Sequence, residues 1–104
     1  MITVVLVPRL HFQKRTPTNK TQPHYLLRNL RMSGYKVQLD ETKPLSAADL
    51  YKLVIAKMAL PHDLDTHLTP LRVSRVMNHL DTSKTPAELN IKDHCTIHVD
   101  MNVE

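Results

Sequence analysis

The stretch Leu71–Glu104, LRVSRVMNHLDTSKTPAELNIKDHCTIHVDMNVE, carries most of the local signals that decide the fold. Its first residues alternate apolar and polar side chains, which predicts a strand over residues 71–74. A turn at Met77-Asn78 and a short return strand from Leu80 follow. This part of the chain therefore predicts two short strands around a turn.

The second half of the stretch predicts one helical turn and a final strand. Thr85 supplies the hydroxyl that caps a turn over Pro86–Leu89. The pattern offers no nucleophile in a catalytic setting, no phosphate loop and no metal cluster, so it favours a recognition domain over an enzyme. In the final strand the inward set is Cys95, Ile97 and Val99, and the outward set is His94, Thr96, His98 and Asp100.

The N-terminal part begins with an apolar, β-branched strand over residues 1–8. Residues 11–23 are polar and predict a loop, and residues 25–32 are compatible with either a short helix or an extra strand. The chain's only glycine, Gly34, predicts a turn with positive φ. Residues 35–39 alternate and predict a half-buried strand.

One main helix is predicted over residues 47–59, with Ser46 as its N-cap and Asp49 completing a capping-box variant. Pro61 ends it, and residues 62–70 predict a polar loop. The residues at the spacing of a buried helical stripe are Leu50, Leu53, Val54 and Lys57/Met58.

This order of elements predicts an α+β roll in which a mixed sheet of four or five strands packs on one main helix. The 104 residues are enough for a single domain. Because Trp is absent and only three Tyr and one Phe are present, the core is expected to be aliphatic. No apolar run approaches the ~20 residues needed to span a membrane. The single Cys95 rules out an internal disulfide and favours an intracellular compartment, nuclear or cytoplasmic, over secretion.

Charge is distributed unevenly along the chain. Residues 1–39 have seven Lys/Arg and no acid, whereas residues 40–104 have seven Lys/Arg and all ten acids. This asymmetry indicates an acidic partner for the N-terminal part, either a protein surface or nucleic acid; the alternative is a solvated basic loop with no partner. The candidate basic patch is Arg9, Lys14, Arg15, Lys20, Arg28 and Arg31.

From residue 71 onward the chain resembles the C-terminal half of SUMO, a ubiquitin-like β-grasp protein. The matching elements share their order and spacing with that family, and the resemblance covers about residues 35–104. It implies a β-grasp fold and a protein-binding role without cofactors. The residues that carry it are Leu71-Arg72-Val73, Thr85-Pro86-x-x-Leu89, Asp93 before Thr96–Val99, Ala59-Leu60-Pro61 and Leu50.

Departures from the family alter the expected function. The chain ends in Met101–Glu104 where a modifier has Gly-Gly, so as given it is expected not to be conjugated. Ser74 and Asp100 stand where ubiquitin has aliphatic residues of its docking patch. A basic insertion at about residues 11–34 replaces the family's short first hairpin.

The resemblance also implies a groove beside the second strand, where SUMO domains receive an extended peptide by strand addition. An acidic, hydrophobic peptide is the expected ligand, although Asp40 lies where the family prefers a base. The alternative is that Val37, Leu39 and Val54 are core residues only. The groove candidates are Lys36, Val37, Gln38 and Leu39 on the strand and Tyr51, Val54 and Lys57 on the helix.

Two further functions stay open from the sequence. The chain could be a structural subunit that docks in a larger assembly through its β-grasp surface and basic insertion, or it could contact nucleic acid through that insertion. A metal site is not expected, because His94 and His98 face away from Cys95 on the last strand, and zinc needs about four converging ligands.

Overall fold

The first and last strands of the chain lie side by side at the centre of a five-stranded sheet. The structure, a computed structural model, describes residues 1–12, 33–60, 64–75 and 78–103. Its strands are β1 (Ile2–Phe12), β2 (Tyr35–Leu39), β3 (Leu68–Arg75), β4 (Asn78–His79) and β5 (Cys95–Val103), with helix α1 (Ala47–Met58) and a 3-10 helix over Leu64–His67.

The sheet order is β2-β1-β5-β3-β4. The central pair β1 and β5 is parallel, and the other neighbours are antiparallel. A mixed sheet packed on one helix, in this chain order, confirms the predicted α+β fold and is compatible with a β-grasp domain. Residues 13–32, which hold most of the expected insertion, lie outside the described residues.

The inward faces of the strands and one face of α1 enclose an aliphatic core, as predicted. Leu6, Ile97 and Met101 are fully buried from the two central strands, and Leu50 and Val54 reach them from the helix. Full burial of such a side chain contributes about 1.5–3 kcal/mol relative to exposure.

Helix α1 begins as predicted, since Ser46 adopts an extended N-cap conformation and its hydroxyl accepts from the Asp49 backbone N–H at 3.3 Å. It ends at Met58, where Ala59 takes a left-handed φ of 49°. The predicted buried stripe was too wide, because Leu53 is 37% exposed. Leu50 and Val54 point at the sheet. Leu53 points about 80° around the helix axis from the direction midway between them.

Three predictions about strand positions were wrong. Strand β1 continues through Phe12, so residues 11 and 12 belong to a strand rather than to the predicted loop. Strand β3 begins at Leu68, inside the predicted loop 62–70, because buried Leu64 and Leu68 anchor that segment to the core. The return strand starts at Asn78 rather than at Leu80.

A register shift between Pro70 and Arg72 also overturns the predicted alternation of β3. Leu71 falls at this bulge and is 39% exposed, so it does not share a buried face with Val73. The extra residue shifts the inward and outward alternation of β3 by one position beyond the bulge. As a result Arg72 lies opposite Asp100 on the outer face of the sheet.

The turn over residues 86–89 has the predicted cap, in a reciprocal form. The Glu88 backbone N–H donates to the Thr85 hydroxyl at 3.2 Å, and the Thr85 backbone N–H donates to the Glu88 carboxylate at 3.2 Å. Both halves of a capping box are therefore present.

Gly34 does not have the predicted positive φ. Its role is to allow close approach, since a Cβ added at this position would lie 2.6 Å from Cγ1 of Val5. A valine side chain is stiff about χ1 and gives way poorly. The glycine thus lets the chain entering β2 lie directly against β1.

We expect Gly34→Ala to lower the free energy of unfolding by about 1–3 kcal/mol, because the added methyl group overpacks this contact. Urea denaturation would measure the change. The neighbouring exposed Ser33→Ala is the control and should stay within about 0.5 kcal/mol of the unmodified chain. Equal stability of both variants would contradict the close-approach explanation.

Candidate functional site

Strand β2 forms one edge of the sheet and borders helix α1 across a shallow groove. Among the described residues it pairs only with β1, and its other edge carries no strand. An edge of this kind leaves backbone N–H and C=O groups open to an added strand. The groove beside it is lined by Thr3, Lys36, Val37, Gln38, Leu53 and Lys57.

The groove continues toward the start of the helix, into a hollow that shares Gln38 and Leu53 with it. Asp40, Lys43 and Asp49 line this second part. The groove is therefore basic where β2 begins and mixed in charge where β2 ends.

Asp40 is fixed by its own turn. Its Oδ1 accepts from the Thr42 hydroxyl at 2.6 Å and from the Thr42 backbone N–H at 2.9 Å. These hydrogen bonds lower the pKa of the Asp40 carboxyl. A negative charge thus persists at the end of β2, at the position where the sequence resemblance expects a base.

The structure places four of the seven groove candidates together in the lining, namely Lys36, Val37, Gln38 and Lys57. Leu39 lines the neighbouring hollow. Val54 is fully buried in the core and has no surface to offer a ligand.

Tyr51 lies on the far side of the helix from this groove. Its hydroxyl donates to the Leu68 carbonyl at 2.8 Å and so ties α1 to β3. Burial, with a smaller effect of the Asp65 charge, raises the pKa of the Tyr51 hydroxyl. This tyrosine acts as a link between helix and sheet.

Sequence reasoning missed two lining residues. The helical spacing predicts Leu53 in the core stripe, but its exposure depends on how the helix is rotated about its own axis above the sheet. Thr3 enters the lining because β1 pairs with β2 in a register that sets it opposite Gln38. Neither fact has a local signal in the sequence.

A second constellation lies on the outer face of the sheet, away from the helix. Asp100 of β5 has Arg9 of β1 as its partner on one side and Arg72 of β3 on the other. We call the group Arg9, His11, Arg72, Ser74 and Asp100 the Asp100 cluster.

The carboxylate of Asp100 is completely buried beneath these side chains. Arg9 donates from Nε to Oδ1 at 2.6 Å and from Nη2 to Oδ2 at 3.0 Å, which makes a bidentate pair. Ser74 donates its hydroxyl to Oδ2 at 3.2 Å and accepts from Arg9 Nη2 at 2.7 Å. The arginine and the serine therefore hold the carboxylate in one orientation.

Two more nitrogen atoms approach the same carboxylate. His11 Nε2 lies 3.3 Å from Oδ1 and Arg72 Nε lies 3.3 Å from Oδ2. Both atoms are shielded from solvent, yet neither has a hydrogen bond of good geometry. Attraction between charges, rather than a directed hydrogen bond, holds Arg72 at the cluster.

Electrostatics within the cluster favour the charged forms. Burial alone raises the pKa of Asp100, but the hydrogen bonds from Arg9 and Ser74, the close approach of His11 and the Arg9 charge outweigh it and lower the pKa. The hydrogen bond to Asp100 likewise raises the pKa of Arg9. The buried acid is thus ionised and paired.

Of the basic-patch candidates, the described residues include only Arg9, whose charge is engaged by Asp100. Lys14, Arg15, Lys20, Arg28 and Arg31 lie outside the described residues. The sequence did single out Ser74 and Asp100 as replacements for aliphatic residues, but the arginine partners come from distant strands and had no local signal.

Within the described ranges no three His, Cys, Asp or Glu side chains lie close enough together to hold a metal ion. No helix in the same ranges is long and apolar enough to cross a membrane. Cys95 is a free thiol that packs partly buried against the core.

Comparison with known proteins adds no family to these observations: no family model matches the chain, and no curated protein matches it. The structure supports a β-grasp-like α+β domain. The narrower resemblance to SUMO rests on the motifs in the sequence.

We expect Asp100→Asn to lower the free energy of unfolding at pH 7 by about 2–3 kcal/mol, because it leaves the two arginines without a counter-charge. The folded-state pKa of Asp100 is lowered, so its contribution is full above the unfolded pKa, about 3.9. It is lost as the pH falls through the folded pKa. The stability gap between the two proteins should therefore close in acid.

Urea denaturation at pH 7 and at steps from pH 4 to pH 2 would measure this gap. Asp65→Asn, an exposed position, is the matched control and should change stability by less than about 0.5 kcal/mol at pH 7. A gap that stays constant from pH 7 to pH 2 would contradict the role assigned to the Asp100 charge.

Proposed function

We propose that this chain is a non-catalytic, SUMO-like interaction domain that binds an extended peptide along β2 by strand addition. The observation that carries the proposal is the β2 edge, which no described strand covers and which borders a groove of apolar floor and basic flank. In this mode the backbone hydrogen bonds supply affinity, and the groove selects side chains.

The floor of the groove suits a short apolar run. Val37 is 8% exposed and so offers little surface, but Leu53 is 37% exposed within the same lining. Side chains of an added strand point alternately to its two faces, so every second residue of the peptide meets this floor. A Val- or Ile-rich segment matches it.

The flank of the groove suits acidic residues beside that run. Lys36 and Lys57 are both exposed and line the groove near the start of β2. Asp40 and Asp49 lie toward the other end and disfavour acids there. The expected ligand is therefore apolar with an acidic flank on one side only.

A place inside the cell is part of this proposal. Cys95 is free, and a free thiol is commoner in a reducing compartment than in a secreted domain. The partner is then another intracellular protein, either through a peptide motif or as a neighbouring subunit of a complex.

The test is an NMR titration of the full chain with a synthetic peptide of sequence Val-Ile-Val-Ile followed by a run of Glu. We expect the backbone amides of β2 to shift and the double variant Lys36→Glu/Lys57→Glu to bind about tenfold more weakly, because about 1.4 kcal/mol is lost. Reversal of two exposed ion pairs is enough for that loss.

The control is Lys52→Glu/Lys92→Glu, which makes the same change in net charge at two exposed positions outside the groove. It should bind the peptide nearly as the unmodified chain does. If both double variants lose affinity equally, or if the β2 amides do not shift, the groove is not the binding site.

A further inference from the structure

The outer face of the sheet has an unusual balance of buried and exposed charge. Among the outward-facing residues of β1, β3 and β5, Asp100 is the one acid within the described ranges, and it is 0% exposed. Arg9, His11 and Arg72 above it are 40%, 39% and 38% exposed. Solvent therefore meets the two guanidinium groups and the imidazole of this cluster and not its anion.

The cluster also has unused donor capacity. Arg9 and Ser74 already make the three hydrogen bonds that the Asp100 carboxylate receives with good geometry. Arg72 Nε and His11 Nε2 approach the carboxylate without one and are shielded from solvent. Because these atoms face Asp100, an incoming acceptor would bind the solvent-exposed parts of the Arg72 and His11 side chains instead.

We propose that this outer face is a second docking surface, and that its occupant is an acidic segment of a protein partner whose Asp or Glu carboxylates bind over Arg9, His11 and Arg72. The two guanidinium groups contribute two positive charges and the buried carboxylate one negative charge, so the face has a net positive charge of about one. Charge complementarity selects an anion.

The compactness of the cluster favours carboxylates over nucleic acid. Neighbouring strands lie about 4.8 Å apart, and both arginines converge on a single carboxylate, so the cationic area accommodates one or two acidic groups. A nucleic acid backbone needs a longer basic track, and single strands add aromatic stacking. The described outward residues of β1, β3 and β5 include no Phe, Tyr or Trp.

Asp100 fixes the orientation of the arginine side chain at this surface. An arginine that donates two hydrogen bonds to one carboxylate keeps a fixed orientation. Less side-chain conformational entropy is then lost when a ligand binds. Arg9 is held in this way and is also tied to Ser74. The surface is separate from the β2 groove, because Thr3 of the groove lining and Arg9 of the cluster are six residues, about 20 Å, apart along β1. One partner can therefore engage both.

The experiment is an NMR titration of the full chain at low salt with a synthetic peptide of alternating Glu and Ser, which has no apolar run for the groove. We expect the amides around Arg9, Arg72 and Asp100 to shift. Arg72→Gln, at a half-exposed position that tolerates glutamine, should weaken binding at least fivefold. The control Lys52→Gln removes one charge from the helix and should weaken binding less than twofold.

His11→Gln is the second variant, and it should weaken binding measurably while the protein stays folded, as judged by its amide spectrum. Equal weakening by Arg72→Gln and Lys52→Gln, with His11→Gln unchanged, would overturn the proposal in favour of a general charge effect. Tighter binding of an oligothymidylate of equal charge, with the same amide shifts, would overturn the choice of a protein partner.

Discussion

The parallel pairing of β1 with β5 is the constraint on which the rest of the structure depends. It runs from Val4 beside Cys95 to Phe12 beside Val103 and so joins the two ends of the described chain. Parallel neighbours cannot be joined by a tight hairpin, so the chain between them must cross the sheet. Helix α1 occupies that crossover and covers the inward face. Strand β2 then lies on one flank of this central pair, beside β1. Strands β3 and β4 lie on the other flank, beside β5.

The same register assembles the outer face of the sheet. A shift of one residue in β5 would turn Asp100 to the helix-facing side of the sheet, opposite Pro8 or Leu10 of β1, where a carboxylate has no partner. In the observed register it meets Arg9 from one neighbour, and the bulge at Leu71 brings Arg72 to it from the other. A buried ion pair contributes little net stability compared with apolar packing, but it strongly penalises a wrong register. The cluster therefore favours the observed register of three strands over one-residue shifts.

The elements that the sequence predicted well are those whose signals are local. Ser46 caps α1, Thr85 and Glu88 cap the last turn, and residues 35–39 alternate as a strand with one buried face. The signals that failed depend on distant contacts. Leu53 has the spacing of a core residue, yet the rotation of the helix over the sheet exposes it to the groove. The role of Gly34 depends on the position of Val5, and no local pattern in the sequence predicts that position.

The fold shows that the uneven charge along the chain does not by itself identify a binding surface. In the sequence, Arg9 belongs to a basic N-terminal part whose charge predicts an acidic partner. In the structure its charge is engaged by Asp100, an acid from the opposite end of the chain. In both proposed binding modes, a partner is recognised by cations that stay exposed beside a suitable surface and not by the charge of a whole segment. Lys36 and Lys57 meet that condition at the groove, and Arg72 meets it on the outer face. Both surfaces are positively charged. They differ in that only the groove combines its charge with an apolar floor and an open strand edge.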